Sequence, residues 1–367
     1  MKKSTMLLVA VLLLCGCASQ EGQKKCSPVR NVIYMIGDGM GLTHLTMLEV
    51  EGRYQPTSFD RAHNVALIST YSANNRVTDS AAAGTALATG CKTNNKMLGM
   101  LPDSTHVESL LTAARDRGLA TGEVVTCALT HATPAAFYAH VGNRNDERSI
   151  AADLLECGFD VLIGGSRDLL RQPDDAGETL AAQLADKGYV VVDTLPDAEA
   201  VRSGRLVAAC GRYHMPSMVE GRGDFLPQAV SKALEILEAN AAQNRSGFAL
   251  MVEGSQIDFE SHTNNTEGIL AEMRDFDRAI GVAMDYADTH PGTLVVVCAD
   301  HETSGMAIPS NNKDFTESES GVRYVYGTGS HTATYVPVYL YGAGAECLNG
   351  IMDNTELSNR LRELLLN

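Results

Sequence analysis

Short runs of apolar residues alternate with longer segments of helical periodicity from residue 30 onward. The runs that predict strands are 31–36, 121–127, 159–163, 189–192, 248–252, 293–298 and 337–341. They are apolar throughout, which is typical of strands buried on both faces of a parallel sheet. Between them, segments such as 227–240 and 104–117, the latter capped by Asp103 or Ser104 and closed by Gly118, predict helices. This alternation predicts a three-layer α/β/α sandwich with a largely parallel central sheet.

The amino-terminal segment has the pattern of an export signal. Two lysines precede an apolar run at 6–14, which is too short to span a bilayer but fits the core of a secretory signal peptide. Leu-Cys-Gly-Cys at 14–17 resembles the lipobox of bacterial lipoproteins, which implies a signal peptide over 1–16 and a lipid on Cys17. The alternative is an ordinary cleaved signal with an incidental cysteine. With the lipid, the chain would be an exported protein of the cell envelope, anchored to the membrane.

The remainder of the chain predicts a tether followed by one domain. Residues 17–29 are polar and carry no periodicity, as in a flexible connection. Residues 30–367 show no internal repeat, low-complexity block or linker, so a single domain is the simpler interpretation.

Composition and charge exclude several classes of protein. The chain is 44% apolar, which is too apolar for a disordered protein, and its net charge is −16. Nucleic acids and anionic lipids are bound through clustered Lys and Arg, so neither is expected as the main partner. If the substrate is an anion, its counter-charge must come from something other than the protein surface.

The nine cysteines do not indicate a zinc ribbon or a dithiol redox site, because no CxxC spacing occurs among them. Cys127 and Cys298 lie in apolar, strand-like runs and are predicted to be small core residues. An oxidising compartment permits a disulfide, but the sequence does not show which pair would form it.

Carboxylates follow three of the predicted strands. Asp38 follows the run that ends at 36, Glu253 follows 248–252, and Asp300 follows 293–298. Open α/β sheets place their ligand crevice at the carboxyl ends of the strands. Unpaired carboxylates gathered there would repel one another, so a polyvalent cation is expected between them.

Imidazoles and a hydroxyl supply further ligand types. Asp258 and His262 are four residues apart, on one face if the segment is helical, and His301 and His331 are further candidates. Carboxylates with imidazoles suit zinc, whereas an oxygen ligand such as Thr133 suits magnesium. Taken singly, each pattern is more often a structural surface pair.

Ser80 is the candidate nucleophile. The Ala-rich segment after it predicts a helix with Ser80 in its first turn and Thr78 or Asp79 as its cap. The amino end of a helix favours an alkoxide and a phosphoryl group. A serine that only caps a core helix is the alternative, and no Ser-His-Asp order supports a histidine-activated nucleophile. A metal would then have to lower the pKa of the Ser80 hydroxyl.

Six motifs occur in the same order as in the alkaline phosphatases, and the sequence resembles that family from about residue 30 to residue 345. The motifs are Gly37-Asp38-Gly39-Met40-Gly41, Asp79-Ser80-Ala81-Ala82, His131-Ala132-Thr133-Pro134-Ala135, the segment 253–262, Asp300-His301-Glu302-Thr303 and Gly329-Ser330-His331-Thr332. The resemblance implies an alkaline-phosphatase-like catalytic domain over 30–367. It also implies a metal-dependent hydrolase of small phosphate monoesters with a phosphoserine intermediate on Ser80.

The resemblance further implies three metal sites and a phosphate clamp. The implied ligands are Asp258, His262 and His331 for a first zinc, Asp38, Asp300, His301 and the free Ser80 for a second zinc, and Asp38, Thr133 and Glu253 for a magnesium. Arg144 would bind the phosphate, with Asp79 orienting it. These cations would make the pocket positive inside an acidic protein. The family is typically dimeric, which implies a homodimer.

Two positions depart from the enterobacterial pattern of the family. His131, which would lie at the substrate, replaces an aspartate, and Phe259 replaces a lysine that contacts phosphate through water. The histidine weakens the case for magnesium and opens the third site to zinc. We expect an open pocket with a broad substrate range.

Other functions remain as alternatives. A phosphodiesterase or sulfatase of the same superfamily is disfavoured because the serine, the three-metal ligand set and Arg144 occur together. A metal- or phosphate-binding lipoprotein without turnover would need a damaged ligand or nucleophile, and none is missing.

Overall fold

The computed structural model describes residues 26–243, 247–314, 316 and 318–367. The predicted signal peptide, Cys17 and the first part of the predicted tether lie outside these residues. In the described part of the chain, the central element is a ten-stranded sheet in the order β14-β2-β13-β8-β1-β7-β3-β4-β6-β5.

The strands follow one another in the chain with short helices and loops between most of them. Their bounds are β1 Asn31–Gly37, β2 Asn64–Ser69, β3 Ala120–Val125, β4 Val161–Gly164, β5 Tyr189–Val192, β6 Arg205–Ala209, β7 Phe248–Gly254, β8 Thr293–Cys298, β9 Glu302–Thr303, β10 Met306–Ala307, β11 Val325–Tyr326, β12 His331–Thr332, β13 Val336–Gly342 and β14 Gly350–Asp353. Outside the central sheet, β9 pairs with β12 and β10 pairs with β11, both antiparallel.

Helices pack on the sheet and carry much of the site. Their bounds are α1 Leu42–Glu51, α2 Ser80–Thr89, α3 Leu110–Asp116, α4 Ala132–Ala135, α5 Glu147–Glu156, α6 Arg167–Arg171, α7 Leu180–Asp186, α8 Phe225–Ala241, α9 Gln256–His262, α10 Thr266–Thr289 and α11 Asn354–Leu366. None of the described helices is both long and apolar enough to cross a membrane.

The sheet confirms the predicted α/β class and its largely parallel character. β1 lies at the centre between β7 and β8, and all three strands are fully buried except at Asn31. Every predicted run forms a strand, although the last one, β13, runs antiparallel to β8 and β2. The central strands are apolar throughout because both of their faces are covered.

Three strands of the sheet were missed by the sequence pattern. β2 and β14 lie at the outer end of the sheet and keep exposed side chains, including Val65 and Ile351. β6 is short and ends in two alanines, which favour helix as much as strand. These three strands therefore lack the continuous run of large apolar residues from which the other strands were predicted.

The predicted helix at 104–117 is shorter than the pattern indicated. Ser104 has a left-handed φ of 70°, so the helix cannot extend through it. The helix α3 begins at Leu110, and the Ser109 side chain caps it by accepting from the Thr112 N–H. The proposed cap at Asp103 or Ser104 was wrong, because a turn at 101–105 precedes the helix. The other predicted helix, 227–240, lies within α8.

A disulfide joins the described amino-terminal end to the loop before β14. Cys26 and Cys347 are bonded, with their Cα atoms 5.8 Å apart. The Ser27 N–H donates to Glu346 Oε1 at 2.6 Å, and Val29 packs against the core. The last residues of the predicted tether, 26–29, are therefore held against the domain.

Removing this disulfide is expected to destabilise the domain. The bond closes a loop with a sequence separation of 321 residues, and such cross-links typically contribute about 2–4 kcal/mol by restricting the unfolded chain. The Cys26→Ser/Cys347→Ser double variant should unfold at lower urea concentration than the parent. Cys91→Ser, which removes a half-buried free thiol, serves as the control. Equal unfolding midpoints for the double variant and the parent would contradict the prediction.

Candidate metal centre and active site

A tight turn brings the ends of β1 and β8 together. Asp38 directly follows β1, and Asp300 lies two residues beyond β8; both are fully buried. The Gly39 N–H donates to Asp300 Oδ1 at 3.1 Å, and the His301 N–H donates to the same oxygen at 2.9 Å. Gly39 has a φ of 74°, and a Cβ there would lie 2.9 Å from Asp258 Oδ1. Only glycine allows this close approach of backbone to carboxylate.

The His301 imidazole lies among these carboxylates and the candidate nucleophile. Its Nε2 is 3.4 Å from Asp38 Oδ1, 3.1 Å from Asp300 Oδ2 and 3.3 Å from Ser80 Oγ. Its Nδ1 is 3.2 Å from the hydroxyl of Thr303, which itself donates to Asp258. Because the Thr303 proton is already used, its oxygen accepts from Nδ1–H. The unprotonated Nε2 then faces carboxylate oxygens, an arrangement that a cation would stabilise.

A second set of ligands lies on α9 and β12. His262 Nε2 is 3.2 Å from Asp258 Oδ2, one helical turn away, and 3.2 Å from His331 Nε2. The outer nitrogens face main-chain carbonyls, His262 Nδ1 at 3.0 Å from Gly329 O and His331 Nδ1 at 2.9 Å from Thr78 O. These carbonyls accept from Nδ1–H, so the Nε2 atoms, which lie nearest Asp258, are the ones that can bind a metal once His262 has lost its second proton. Carbonyl partners of this kind orient histidine ligands of zinc.

A third group of oxygen atoms surrounds Glu253 at the end of β7. Glu253 Oε2 accepts from Ser255 Oγ at 2.7 Å. Within the described residues, Glu253 Oε1, Thr133 Oγ1 and both carboxylate oxygens of Asp38 are buried and have no hydrogen-bond partner. Buried oxygens are rarely left unpaired, since the cost is about 1–3 kcal/mol for each group and more for charged ones. These residues fit a divalent cation that prefers oxygen ligands.

Ser80 and the candidate phosphate clamp lie beside these groups. Ser80 is the first residue of α2, and Asp79 caps the helix by accepting from the Ala82 N–H at 3.0 Å. The other Asp79 oxygen accepts from the Lys96 N–H at 3.0 Å and lies 3.6 Å from Arg144 Nη1. Asp79 therefore holds the helix start and the guanidinium in a fixed relation.

His131 and Phe259 border the clamp. Arg144 Nη2 is 3.3 Å from His131 Nε2, and the His131 and Phe259 rings are 5.4 Å apart. His214, in the loop after β6, packs on Phe259 with ring centroids 4.8 Å apart. No spacing or motif pointed to His214, because its loop reaches the site only through the tertiary fold.

The ionisation of the carboxylates shows why this site needs positive charge. Burial and the nearby Asp300 raise the pKa of Asp38, and burial with the Asp258 charge raises the pKa of Asp300 to about 8. Burial alone would raise the pKa of Asp258, but the hydrogen bond from His262 and the charges of nearby histidines hold it well below its usual range. The carboxylates mutually disfavour their charged forms, and divalent cations would reverse this.

Apart from Cys17, which lies outside the described residues, the site residues that the sequence predicted lie in one region of the structure. Donor atoms of Asp258, His262 and His331 lie within 4.8 Å of one another, as do those of Asp38, Asp258 and His301. The sequence reasoning did not assign Thr303 or Ser255, whose hydroxyls orient the ligands. Thr303 belongs to the motif Asp300-His301-Glu302-Thr303, but its role depends on the turn that places it between Asp258 and His301.

The fold and the site define a metal-dependent α/β hydrolase with a serine at the helix end, and sequence comparisons agree. The family model for alkaline phosphatase matches residues 29–320. Alkaline phosphatase 3 of Bacillus subtilis (strain 168) is 29% identical, covering 95% of this chain and 92% of its own length. Streptomycin-6-phosphate phosphatase of Streptomyces griseus is 33% identical, covering 90% of this chain and 89% of its own length.

Solved structures support the same relationship. The structure of alkaline phosphatase from the Antarctic bacterium TAB5 has a TM-score of 0.86 and 34% identity, covering 93% of this chain and 99% of its own. A histidine-to-aspartate variant of that enzyme, with magnesium bound in its M3 site, has a TM-score of 0.85 and 35% identity over the same shares. The chain belongs to the alkaline phosphatase family. It is a metal-dependent hydrolase of phosphate monoesters.

Metal binding to the metal-free protein is expected to strengthen as the pH rises. The hydrogen bond to Asp258 raises the pKa of His262 to about 9, and the pKa of Asp300 is raised to about 8. Below these pKa values, protons bound to His262 and Asp300 compete with the cation. Raising the pH removes these protons until both groups are deprotonated. Zinc titrations against a competing chelator should therefore show affinity rising from about pH 6 to about pH 9.

A histidine outside the site provides the control for this prediction. His290 is paired with Glu238 at 3.0 Å, so His290→Gln should keep the pH dependence of zinc affinity. His262→Gln should lose affinity and release fewer protons on binding. A zinc affinity that does not change with pH in the parent protein would contradict the prediction.

Proposed function

We propose that this chain hydrolyses phosphate monoesters through a phosphoserine intermediate on Ser80. The observation that carries the proposal is the position of Ser80 Oγ, 3.3 Å from His301 Nε2 at the edge of the buried carboxylate cluster. Ser80 is only 2% exposed and lies at the amino end of α2, where the helix dipole favours an oxyanion.

The proposed metal ligands follow the three groups of donors. Asp258, His262 and His331 would hold one zinc; Asp38, Asp300 and His301, with the free Ser80, would hold a second. Asp38, Thr133 and Glu253 would hold a third ion, magnesium or zinc. Magnesium in the M3 site of the TAB5 variant supports a third position. When bound, such cations stabilise developing negative charge on oxygen and lower the pKa of a serine hydroxyl or a water molecule.

Each remaining residue would bind or orient the phosphoryl group. Arg144 would donate two parallel N–H bonds to phosphate oxygens, for which a planar guanidinium is suited. Asp79, 3.6 Å from Arg144 Nη1, would keep it directed toward the site. His131 beside Arg144 would contact the substrate.

The reaction would proceed in two displacements at phosphorus. The Ser80 oxygen attacks, a serine phosphate ester forms, and the bond to the substrate alcohol breaks, so that the alcohol leaves. Water then attacks the same phosphorus, which frees Ser80 and releases inorganic phosphate. Arg144 would hold the phosphoryl group so that the attacking Ser80 oxygen lies in line with the bond from phosphorus to the departing oxygen.

A small cavity beside Arg144 supports a broad range of monoesters. Its volume is about 250 Å³, and its lining includes His131, Tyr213 and His214. Tyr213 is 49% exposed, so one side of the cavity is open toward solvent. Because Ser80 is not part of this lining, the cavity would receive only groups of the ester that extend past Arg144, and its open side would restrict them little.

Replacing the nucleophile tests the proposal directly. Ser80→Ala should lower the turnover of p-nitrophenyl phosphate by roughly 10³-fold or more, because the covalent step is lost. Its zinc content should stay close to that of the parent, since the main zinc ligands remain. Acid-quenched parent protein should carry covalent phosphate on Ser80, measured by mass spectrometry.

A buried serine elsewhere supplies the matched control. Ser358 lies in α11 and its hydroxyl has no partner among the described residues, so Ser358→Ala should keep full activity. Near-parental activity of Ser80→Ala would remove Ser80 as the nucleophile. Parallel assays with a phosphate diester and a sulfate ester test the alternatives, and faster turnover of either would reassign the enzyme.

We also propose that the protein is exported to the bacterial cell envelope, with residues 1–16 as its signal peptide and the part of 17–29 that precedes Cys26 as its tether. It would be anchored by a lipid on Cys17 and would form a homodimer. The lipobox-like sequence at 14–17 supports the anchor, and the family resemblance supports the dimer. Sedimentation of the soluble domain would report the oligomeric state.

Cys17→Ser should move the protein from the membrane fraction to the soluble fraction, because the acylated thiol is lost. Cys15→Ser, two residues away inside the predicted signal, is the control and should remain with membranes. Fractionation without detergent, followed by immunoblotting, measures the distribution. Unchanged partitioning of Cys17→Ser would mean that another anchor holds the protein.

A further inference from the structure

A thiol lies directly against the third group of ligands. Cys127 follows β3 and is fully buried, with its Sγ 3.2 Å from Glu253 Oε2. The backbone is fixed there because the N–H groups of Thr126 and Cys127 donate to Ser255 Oγ at 3.3 and 3.1 Å. The same Ser255 hydroxyl donates to Glu253. These backbone hydrogen bonds fix the position of Cys127, so its short side chain is held beside the Glu253 carboxylate.

The surroundings of this thiol point to a cation. Donor atoms of Cys127, His131 and Glu253 all lie within 4.8 Å of one another. Among the described residues, Glu253 Oε1, Thr133 Oγ1 and His131 Nδ1 are buried without a hydrogen-bond partner. The two oxygen atoms are independent of the thiol, and a single bound ion would satisfy both.

We propose that the third ion, which the proposed function places at Asp38, Thr133 and Glu253, is a zinc and that the Cys127 thiolate is one of its ligands. This rests on the proposed function, which places a third ion at Glu253. A thiolate is a soft ligand that favours zinc, whereas magnesium requires an octahedron of oxygen ligands. On binding, the thiol releases its proton to solvent and the sulfur donates a lone pair to the metal; no redox change is involved. Cys127 thus selects zinc over magnesium.

A purely structural role for Cys127 makes a different prediction. The thiol also lies 3.3 Å from Ala128 O, so it could serve only as a hydrogen-bond donor that orients the Glu253 carboxylate. Serine retains a donor of similar size but replaces the soft sulfur by a hard oxygen. Cys127→Ser therefore preserves the structural role and removes the proposed selectivity.

Competitive metal loading measures that selectivity. The metal-free full-length protein is loaded with zinc in the presence of excess magnesium, desalted, and analysed by inductively coupled plasma mass spectrometry. The parent should retain three zincs per chain, and Cys127→Ser should retain two zincs and one magnesium. Its zinc preference at the third site should fall at least about tenfold, since even loss of an outer partner of a metal ligand costs that much. The same zinc-to-magnesium ratio in both proteins would overturn the proposal.

Cobalt substitution gives a second, spectroscopic readout. The other two ligand sets offer only nitrogen and oxygen donors, so a thiolate-to-cobalt charge-transfer band in the near ultraviolet would report Cys127. The band should be present in the fully loaded parent and absent in Cys127→Ser and Cys127→Ala, while the visible cobalt bands remain. Absence of the band from the loaded parent would also overturn the proposal.

Cys157 provides the matched thiol control. It is buried at the end of α5 and belongs to none of the candidate metal clusters of the described residues. Cys157→Ser should keep both the charge-transfer band and the parental zinc-to-magnesium ratio. Loss of the band in Cys157→Ser would show that the cobalt signal comes from the wrong thiol and would overturn the assignment to Cys127.

The outcome also separates this inference from the proposed function. A parent protein that binds at least two metals and hydrolyses monoesters, but shows equal metal preference in all variants, would leave the function intact and remove only the role of Cys127. A parent protein that binds no metal and lacks activity would instead remove the proposed function.

Discussion

The electrostatic repulsion among buried carboxylates is the constraint on which the site depends. Asp38, Asp300 and Glu253 are fully buried and come from three neighbouring strands of the sheet. Parallel strands all present their carboxyl ends at one edge, so the topology itself concentrates negative charge there. Without cations these groups would take up protons, as the raised pKa values of Asp38 and Asp300 indicate. Divalent ions turn the same arrangement into a binding site for an anion.

Main-chain groups orient several of the metal ligands in this site. The outer nitrogens of His262 and His331 face carbonyl oxygens, and the Gly39 N–H holds Asp300. Asp79 both caps the helix that begins at Ser80 and lies beside Arg144. Once the fold has fixed these turns, their main-chain groups require no further side-chain rotamer to be ordered, so they position the ligands more rigidly than long side chains would.

The acidic surface and the phosphate site are reconciled by the position of the charge. A net charge of −16 repels anions at long range, but this repulsion is screened within about 8–10 Å at physiological ionic strength. Inside the buried site, local cations and Arg144 dominate because screening there is weak. The His131 and Phe259 rings, 5.4 Å apart, border this site.

The fold class and most of the site follow from local sequence features. Continuous apolar runs identify the buried strands, and the polar residues that end them, such as Asp38 and Asp300, lie where parallel strands must place them. Asp79 and Ser80 are readable because helix capping depends on neighbours in sequence.

Tertiary structure alone decided the features that depend on distant segments. The pairing of Cys26 with Cys347, the antiparallel direction of β13 and the partially exposed strands β2 and β14 leave no local pattern. The same holds for Thr303 between Asp258 and His301, and for Cys127, which the sequence predicted only as a core residue and the fold places 3.2 Å from Glu253. Periodicity reports whether a residue is buried, but only the packed chain determines which group it is buried against.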